Sequence, residues 1–156
     1  MRIYISYFYQ IRFFPPNLIP LSTAIWDPRW FHDNKAQSYQ FKDKRDVLNG
    51  LRIEPFVPGP TCHNLCRGPE TCYETPDSCR FLLAYLGQLN ALDFQQIMGR
   101  FETLATAIKS NEKFDDVDFA LIVHEAPTRA CSERIMLKRW FAANGYQLNE
   151  WSKDSI

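Results

Sequence analysis

The chain has 156 residues, and its 18 lysine and arginine side chains balance 18 aspartates and glutamates, so the formal net charge is zero. This length suits one domain with one core, and the balanced charge gives no overall field that would recruit nucleic acid or an anionic membrane. No stretch approaches the about 20 apolar residues of a membrane span, and the opening residues alternate, unlike the apolar run of a signal peptide. We therefore expect a cytoplasmic protein without a membrane partner.

The first part of the chain predicts two strands. Ile3–Tyr9 is rich in aromatic and β-branched residues, which are typical of strands, and Leu18–Ile25 is a second, mostly apolar run. Pro15-Pro16 breaks the chain between them. Farther on the pattern is mixed, and it predicts a turn at Trp26–Trp30 and a short helix over Asp43–Leu48.

Four of the five cysteines lie in a proline-bounded loop over residues 62–79. An odd number of cysteines leaves at least one thiol outside any intramolecular disulfide, and in a reducing compartment the clustering favours metal binding or thiol chemistry. Four thiols can supply a tetrahedral zinc site, with His63 as the alternative ligand if Cys79 faces the core. Because the spacing lacks a C-x2-C pair, packed free thiols, disulfides and iron–sulfur ligation stay open. The predicted zinc ligands are Cys62, Cys66, Cys72 and Cys79.

Two amphipathic helices are predicted after this loop. Asp77 or Ser78 can cap a helix that runs to Leu89. Asp93 and Gln96 form a capping box for the second helix. The apolar residues of that second helix repeat at the spacing of one buried face, namely Phe94, Ile97, Met98, Phe101, Leu104, Ala105 and Ile108.

The last part of the chain predicts a buried strand, a turn and a helix. Phe119–Val123 is apolar on both faces, as in the middle of a parallel sheet covered by helices. A helix over Ser132–Asn144 ends where Gly145 can adopt a left-handed conformation, and Tyr146–Trp151 adds a short strand. The alternation predicts a layered α/β single domain over residues 1–156, with a largely parallel sheet flanked by helices and the cysteine-rich loop, about 57–79, inserted.

Ligands of such folds bind at the carboxyl ends of the strands. If the predicted strands run parallel, their ends and the start of the last helix meet at one edge. A helix start presents free N–H groups and a positive dipole, which bind anions. We therefore expect a phosphate-bearing or nucleotide-like ligand, in preference to nucleic acid, at Ser6, Tyr7, Trp26, Glu125, Ser132 and Arg134.

Two other functions fit the same residues. Cys131 lies three positions before Arg134 on one helix face, so it is a candidate nucleophile of a thiol-dependent transferase or hydrolase, with Glu125 as a candidate base. Cys131 is equally suited to be a small core residue. The third function is an interaction module, stabilised by zinc, that contacts a protein or nucleic acid.

An aromatic and basic group follows the second predicted strand. Aromatic rings beside arginine can stack a base and hold its phosphate, although such residues also form lids and cores. The sequence lacks GxGxxG, Walker A, HExxH and GxSxG motifs, which disfavours the enzyme classes that carry them. The group comprises Trp26, Arg29, Trp30, Phe31 and His32.

Several segments together resemble an uncharacterised bacterial and phage family, domain of unknown function 488. They are Ile3–Phe8, Ile19–Ala24 with Pro28–Trp30, and Phe119–Glu125 followed by Cys131, Arg134 and Trp140. The resemblance implies an α/β fold and a Cys-His-Arg motif at the start of the last helix. Cys131 matches the cysteine and Arg134 the arginine, one residue late, whereas Ser132 and Glu133 stand where the histidine would be. A family role that needs an imidazole for proton transfer therefore lacks its histidine here, whereas an anion-binding role of the cysteine, the arginine and the helix start stays open, and the resemblance supports the position of the site.

Overall fold

The computed structural model describes residues 1–31, 50–63, 65, 75–129 and 131–155. Within these ranges, one parallel sheet has the strand order β3-β2-β4-β1-β5. The strands are β1 (Ile3–Tyr7), β2 (Leu18–Ser22), β3 (Leu51–Arg52), β4 (Asp118–Val123) and β5 (Asn149–Glu150). The helices are α1 (Pro60–His63), α2 (Arg80–Asn90), α3 (Phe94–Glu112) and α4 (Glu133–Ala143). The predicted α/β class with a parallel sheet is confirmed.

The central strand is β4, and all of its residues are buried. It pairs in parallel with β1, from Ile3 opposite Phe119 to Tyr7 opposite Val123, and with β2 on its other side. An apolar strand with no polar face requires cover on both sides, as its sequence predicted. Its position also brings the carboxyl ends of β1 and β2 level with its own.

Both amino-terminal strands are shorter than predicted. The strand predicted to reach Tyr9 ends at Tyr7, and a 3-10 helix over Phe8–Phe13 follows. The strand predicted to reach Ile25 ends at Ser22. Directly after this strand, the Thr23 N–H and the Thr23 hydroxyl both donate to the Ile122 carbonyl oxygen in β4, at 3.0 and 2.9 Å. The regular pairing of β2 with β4 ends at this point.

The two middle helices differ in how well their starts were predicted. The capping of α2 by Asp77 or Ser78 is wrong, because α2 follows Cys79 and no side chain caps it. The Ser78 hydroxyl instead donates to a local carbonyl oxygen at 3.1 Å. In α3, the Asp93 carboxylate accepts a hydrogen bond from the Gln96 N–H at 3.1 Å, as the capping box predicted.

None of the helices in the described ranges is long and apolar enough to cross a membrane.

The predicted ends of α4 are confirmed to within a residue. Ser132 is its N-cap, and Gly145 has a φ of 82°, in the left-handed region that favours glycine. The strand predicted over Tyr146–Trp151 is reduced to the two residues of β5. The helix predicted over Asp43–Leu48 lies outside the described residues.

A cluster of aromatic rings joins the helices to the sheet. The Phe56 ring is fully buried, and its centroid lies 6.2 Å from that of Phe101, 5.5 Å from that of Trp140 and 6.0 Å from that of Phe141. The Gln88 side chain in α2 donates to the carbonyl oxygens of residues 55 and 57, at 3.2 and 2.7 Å. The segment that leads into the cysteine-rich loop is therefore fixed against α2, α3 and α4.

Candidate functional site

The carboxyl edge of the sheet gathers three strand ends and one helix start. β1 and β4 end side by side at Tyr7 and Val123, and β2 ends one residue short of them. The turn after β4 carries Glu125, which contacts Arg134 near the start of α4. Crevices at this edge are where parallel α/β sheets bind ligands.

Arg134 is buried, and its guanidinium joins three strands. Nη1 donates to the Glu125 carbonyl oxygen at 2.6 Å, and Nη2 donates to the Ser6 carbonyl oxygen at 3.4 Å. Nε forms an ion pair with Glu150 of β5, which also pairs with Lys138 at 3.1 Å. All three nitrogens face protein acceptors, so a ligand predicted to bind Arg134 would have to compete with them.

The first turn of α4 satisfies its own amide groups. The Arg134 N–H donates to the Ser132 hydroxyl oxygen at 3.2 Å, and the Ile135 N–H donates to the Ser132 carbonyl oxygen at 3.1 Å. The backbone of Glu133 hydrogen-bonds its own carboxylate. An anion at this helix start would thus have to displace internal acceptors, which weakens the case for anion binding here.

Two glutamates interact at the same helix start. The Ser132 hydroxyl donates to Glu125 Oε2 at 3.2 Å, which fixes that carboxylate. Burial raises the pKa of the partly buried Glu133 from 4.5 to about 7, and the charge of Glu125 adds to the rise, while the backbone bond and Arg134 oppose it. Glu133 is therefore present in both protonation states near neutral pH.

Glu133 was not predicted to be functional. In the sequence it is only a charge in the first turn of a helix, where the dipole favours a carboxylate. Its proximity to Glu125 is set by the turn between β4 and α4. The weak signal available was a second glutamate within ten residues of the first, next to a helix start.

Tyr85 lies near both Glu133 and Cys62, and Tyr85 and Cys62 are fully buried. Burial raises the pKa of Tyr85 well above its usual 10, and the charges of Glu133 and Cys62 act in the same direction. The Tyr85 hydroxyl donates to the Phe56 carbonyl oxygen at 2.5 Å. Tyr85 is therefore a neutral hydrogen-bond donor at physiological pH, and it holds the backbone of Phe56 against α2.

The two predicted ligand contacts in β1 differ in accessibility. Ser6 is fully buried and its hydroxyl donates to the Trp151 carbonyl oxygen at 2.8 Å, so it fixes the segment after β5 and is not available to a ligand. Tyr7 is partly buried, and its ring centroid lies 5.9 Å from the Arg134 guanidinium carbon. Its hydroxyl accepts a hydrogen bond from the Gln10 side chain at 3.1 Å. Tyr7 therefore remains a candidate to contact a ligand.

His124 positions the loop after β2. The His124 Nε2 hydrogen-bonds the Trp26 carbonyl oxygen, and the imidazole packs on the Phe8 ring with 4.8 Å between centroids. The Trp26 side chain itself is 77% exposed, as expected for a ligand contact. His124 and Glu125 thus have different roles, since His124 holds a loop while Glu125 faces α4.

The aromatic and basic group around Trp26 is split between core and surface. Phe31 is buried, with its ring 5.4 Å from that of Phe8, and Trp30 is partly buried at 6.0 Å from the same ring. Arg29 is exposed, and His32 lies outside the described residues. The two inner rings therefore serve the core, which was one of the two interpretations of this group.

A second polar cluster at this edge was not foreseen. The Ser22 hydroxyl donates to Asp27 at 2.5 Å, and Asp27 forms an ion pair with Arg52 at 2.8 Å. Arg52 also donates to the Ala24 carbonyl oxygen at 2.9 Å. The partners come from β2, the following loop and the edge strand β3, whose two residues have no detectable period. This cluster closes the carboxyl edge beside Trp26.

The described cysteines are placed as follows. Cys131 is partly buried directly before the N-cap of α4, and its predicted nucleophilic role stays a prediction. Cys62 and Cys79 are buried free thiols, and Cys62 Sγ lies 3.7 Å from Gln88 Oε1. Among the residues that the structure describes, no three histidine, cysteine, aspartate or glutamate side chains form a group that could hold a metal. His63 closes α1, while Cys66 and Cys72 lie outside the described residues, so the zinc site also stays a prediction.

Comparison with models of protein families, with curated proteins and with solved structures found no match to this chain. The proposed resemblance to domain of unknown function 488 therefore rests on the segments quoted above. The geometry of the carboxyl edge provides the basis for a functional proposal.

Replacing Arg134 should destabilise the fold. We expect Arg134→Ala to lower the free energy of unfolding by about 3 kcal/mol, because it removes one partner of a largely buried ion pair together with two carbonyl contacts. Arg139→Ala is the matched control on the same helix, since Arg139 is exposed and pairs with exposed Asp77 at 2.7 Å. The control should lose at most about 1 kcal/mol in urea unfolding. Equal losses would contradict the bracing role of Arg134.

The raised pKa of Glu133 should make stability depend on pH. Between its unfolded value of 4.5 and about 7, the folded protein holds a proton that the unfolded chain releases. The free energy of unfolding therefore falls as the pH rises through this window, by up to about 3 kcal/mol. Glu133→Gln should remove this loss, so that it exceeds the parent in stability near pH 8 and equals it near pH 4. Glu102→Gln, a change at an exposed position in α3, is the control. The prediction would be contradicted if the free energy of unfolding of Glu133→Gln differed from that of the parent by the same amount at both pH values.

Proposed function

We propose that the carboxyl edge of the sheet binds a small phosphate-bearing or nucleotide-like ligand, and that Glu125 and Glu133 exchange a proton with it. The observation that carries this proposal is the placement of the partly buried Glu133 carboxyl near the Glu125 carboxylate, at the edge where such folds bind ligands; burial and the charge of Glu125 raise the pKa of Glu133 to about 7. The class of protein proposed is thus a ligand-binding α/β domain with general acid–base chemistry.

The two glutamates suit different parts of a proton transfer. Two adjacent carboxylates resist being charged together, and the charge of Glu125 therefore adds to the rise in the pKa of Glu133. Glu125 is held by the Ser132 hydroxyl, and its backbone carbonyl is held by Arg134. Glu133, whose pKa burial raises to about 7, is the group that gives up or takes up the proton. A pKa near the working pH gives efficient general acid–base catalysis.

The contacts of Arg134 shape the ligand part of this proposal. Because its guanidinium and the first amide groups of α4 are used within the protein, we do not assign the ligand phosphate to them. The side chains that remain accessible at the edge include the rings of Tyr7 and Trp26. These rings support a ligand with a flat group, which agrees with a nucleotide-like molecule.

Proton exchange on binding is measurable by calorimetry. The four nucleoside 5′-monophosphates are titrated at neutral pH into the protein, in buffers that differ in their enthalpy of ionisation. For those that bind, the observed heat should change with the buffer, because the Glu125–Glu133 pair changes its proton occupancy in the complex. Glu133→Gln should bind with no such dependence, whereas Glu102→Gln should behave as the parent does.

Two results would contradict the proposal. Binding of none of the four nucleotides at millimolar concentration would oppose the ligand class. Binding with the same buffer dependence in the parent and in Glu133→Gln would oppose the role of the glutamate pair.

A further inference from the structure

An exposed surface of rings and cations lies next to the candidate site. It consists of Tyr9, Arg12 and Phe13 from the 3-10 helix after β1, and Lys153 from the end of the chain, and we refer to it as the Tyr9 surface. Tyr9 is 51% exposed, although large aromatic side chains usually bury most of their area.

Each cation of the Tyr9 surface lies over a ring. The guanidinium carbon of Arg12 is 4.2 Å from the Tyr9 ring centroid, and Nζ of Lys153 is 4.5 Å from the Phe13 centroid. The two rings are edge to face, with 5.8 Å between centroids. In the described part of the chain, neither cation has a carboxylate partner, so both charges can be offered to an anion.

Local hydrogen bonds hold this arrangement in place. Arg12 Nε donates to the Tyr9 carbonyl oxygen at 3.0 Å, which keeps the guanidinium over its ring. The Lys153 N–H donates to the Gln10 side-chain oxygen at 3.0 Å, and Gln10 also donates to the Tyr7 hydroxyl. The Tyr9 surface is therefore organised before any ligand binds, which lowers the entropic cost of binding.

Tyr7 connects the Tyr9 surface with the candidate site. Its ring lies nearly parallel to that of Tyr9, at 19° and 6.5 Å between centroids, and its other neighbour is the Arg134 guanidinium. A ligand seated on the Tyr9 surface would thus extend along β1 toward the helix start that carries Glu133. The Arg134 guanidinium at that helix start is already held by acceptors within the protein.

We infer that the Tyr9 surface binds the base and phosphate of a nucleoside monophosphate. Aromatic rings and arginine planes stack nucleobases, and neighbouring cations hold phosphate. The balanced net charge of the chain provides no field for a longer polyphosphate backbone, which favours a mononucleotide over a nucleic acid. This inference rests on the proposed function, since it names the ligand class of that edge.

The test compares AMP with its two halves, ribose 5-phosphate and adenosine. AMP should bind the parent more tightly than either half. Tyr9→Ala should weaken AMP about tenfold, the effect expected for one stacked base, and should leave ribose 5-phosphate unchanged. Arg12→Ala should weaken AMP and ribose 5-phosphate, whereas Tyr9→Phe, which keeps the ring, should retain AMP binding.

Matched controls are exposed residues of α2 that are not part of the Tyr9 surface. Leu83→Ala removes another exposed apolar side chain and Arg80→Ala another exposed cation, and neither should change AMP binding. Equal affinities for AMP and ribose 5-phosphate, or unchanged AMP binding by Tyr9→Ala, would overturn the inference. Tighter, steeply salt-dependent binding of a single-stranded oligonucleotide would also overturn it, in favour of nucleic acid.

These outcomes are distinct from a failure of the proposed function. AMP binding that depends on Tyr9 but exchanges no proton would support the Tyr9 surface and contradict the role of Glu133. If AMP binds with exchange of a proton but equally well to the parent and to Tyr9→Ala, the result would support the role of Glu133 and contradict binding at the Tyr9 surface.

Discussion

The buried guanidinium of Arg134 is the interaction on which the arrangement of the carboxyl edge depends. It joins α4 to the carbonyl oxygen of Ser6 in β1, to that of Glu125 after β4, and to the Glu150 carboxylate in β5. A buried charge is tolerated only when it is paired and hydrogen-bonded, so these partners are held in a narrow range of positions. The start of α4 is thereby fixed against the strand ends, and with it the spacing of Glu125 and Glu133.

Two opposing effects meet at that helix start. The dipole of α4 and the proximity of Arg134 favour a charged Glu133, whereas burial and the charge of Glu125 oppose it. The opposing effects prevail, and the pKa of Glu133 comes to about 7. The first amide groups of α4 are used within the protein, and we therefore propose an exchangeable proton on Glu133, in place of an anion, as the functional feature of this helix start. We propose anion binding instead at Arg12, in the 3-10 helix after β1, and at Lys153 near the end of the chain.

The sequence predicted the parts of the fold whose signals are local. The apolar run of β4, the capping box of α3 and the turn at Gly145 each identify their element within a few residues, and the parallel sheet follows from their order. Two features could not be predicted. The two-residue strand β3 is too short to show a period, and Gly50 before it matters because a Cβ would lie 2.0 Å from the Pro20 carbonyl oxygen. Such a contact is made across the sheet and leaves no pattern in the chain.

The candidate site shows the same division. Parallel strands imply that Tyr7, Trp26 and Glu125 share an edge, but the acceptors of Arg134 are backbone carbonyls distant in sequence, and no spacing indicates them.

The most direct measurement of the central claim is a carbon-detected NMR titration of the Glu133 carboxyl in the intact protein. We expect a midpoint of about 7, and a lower midpoint in Glu125→Gln, because that change removes one cause of the raised pKa of Glu133. A midpoint near the ordinary 4.5, or one indifferent to Glu125→Gln, would contradict it.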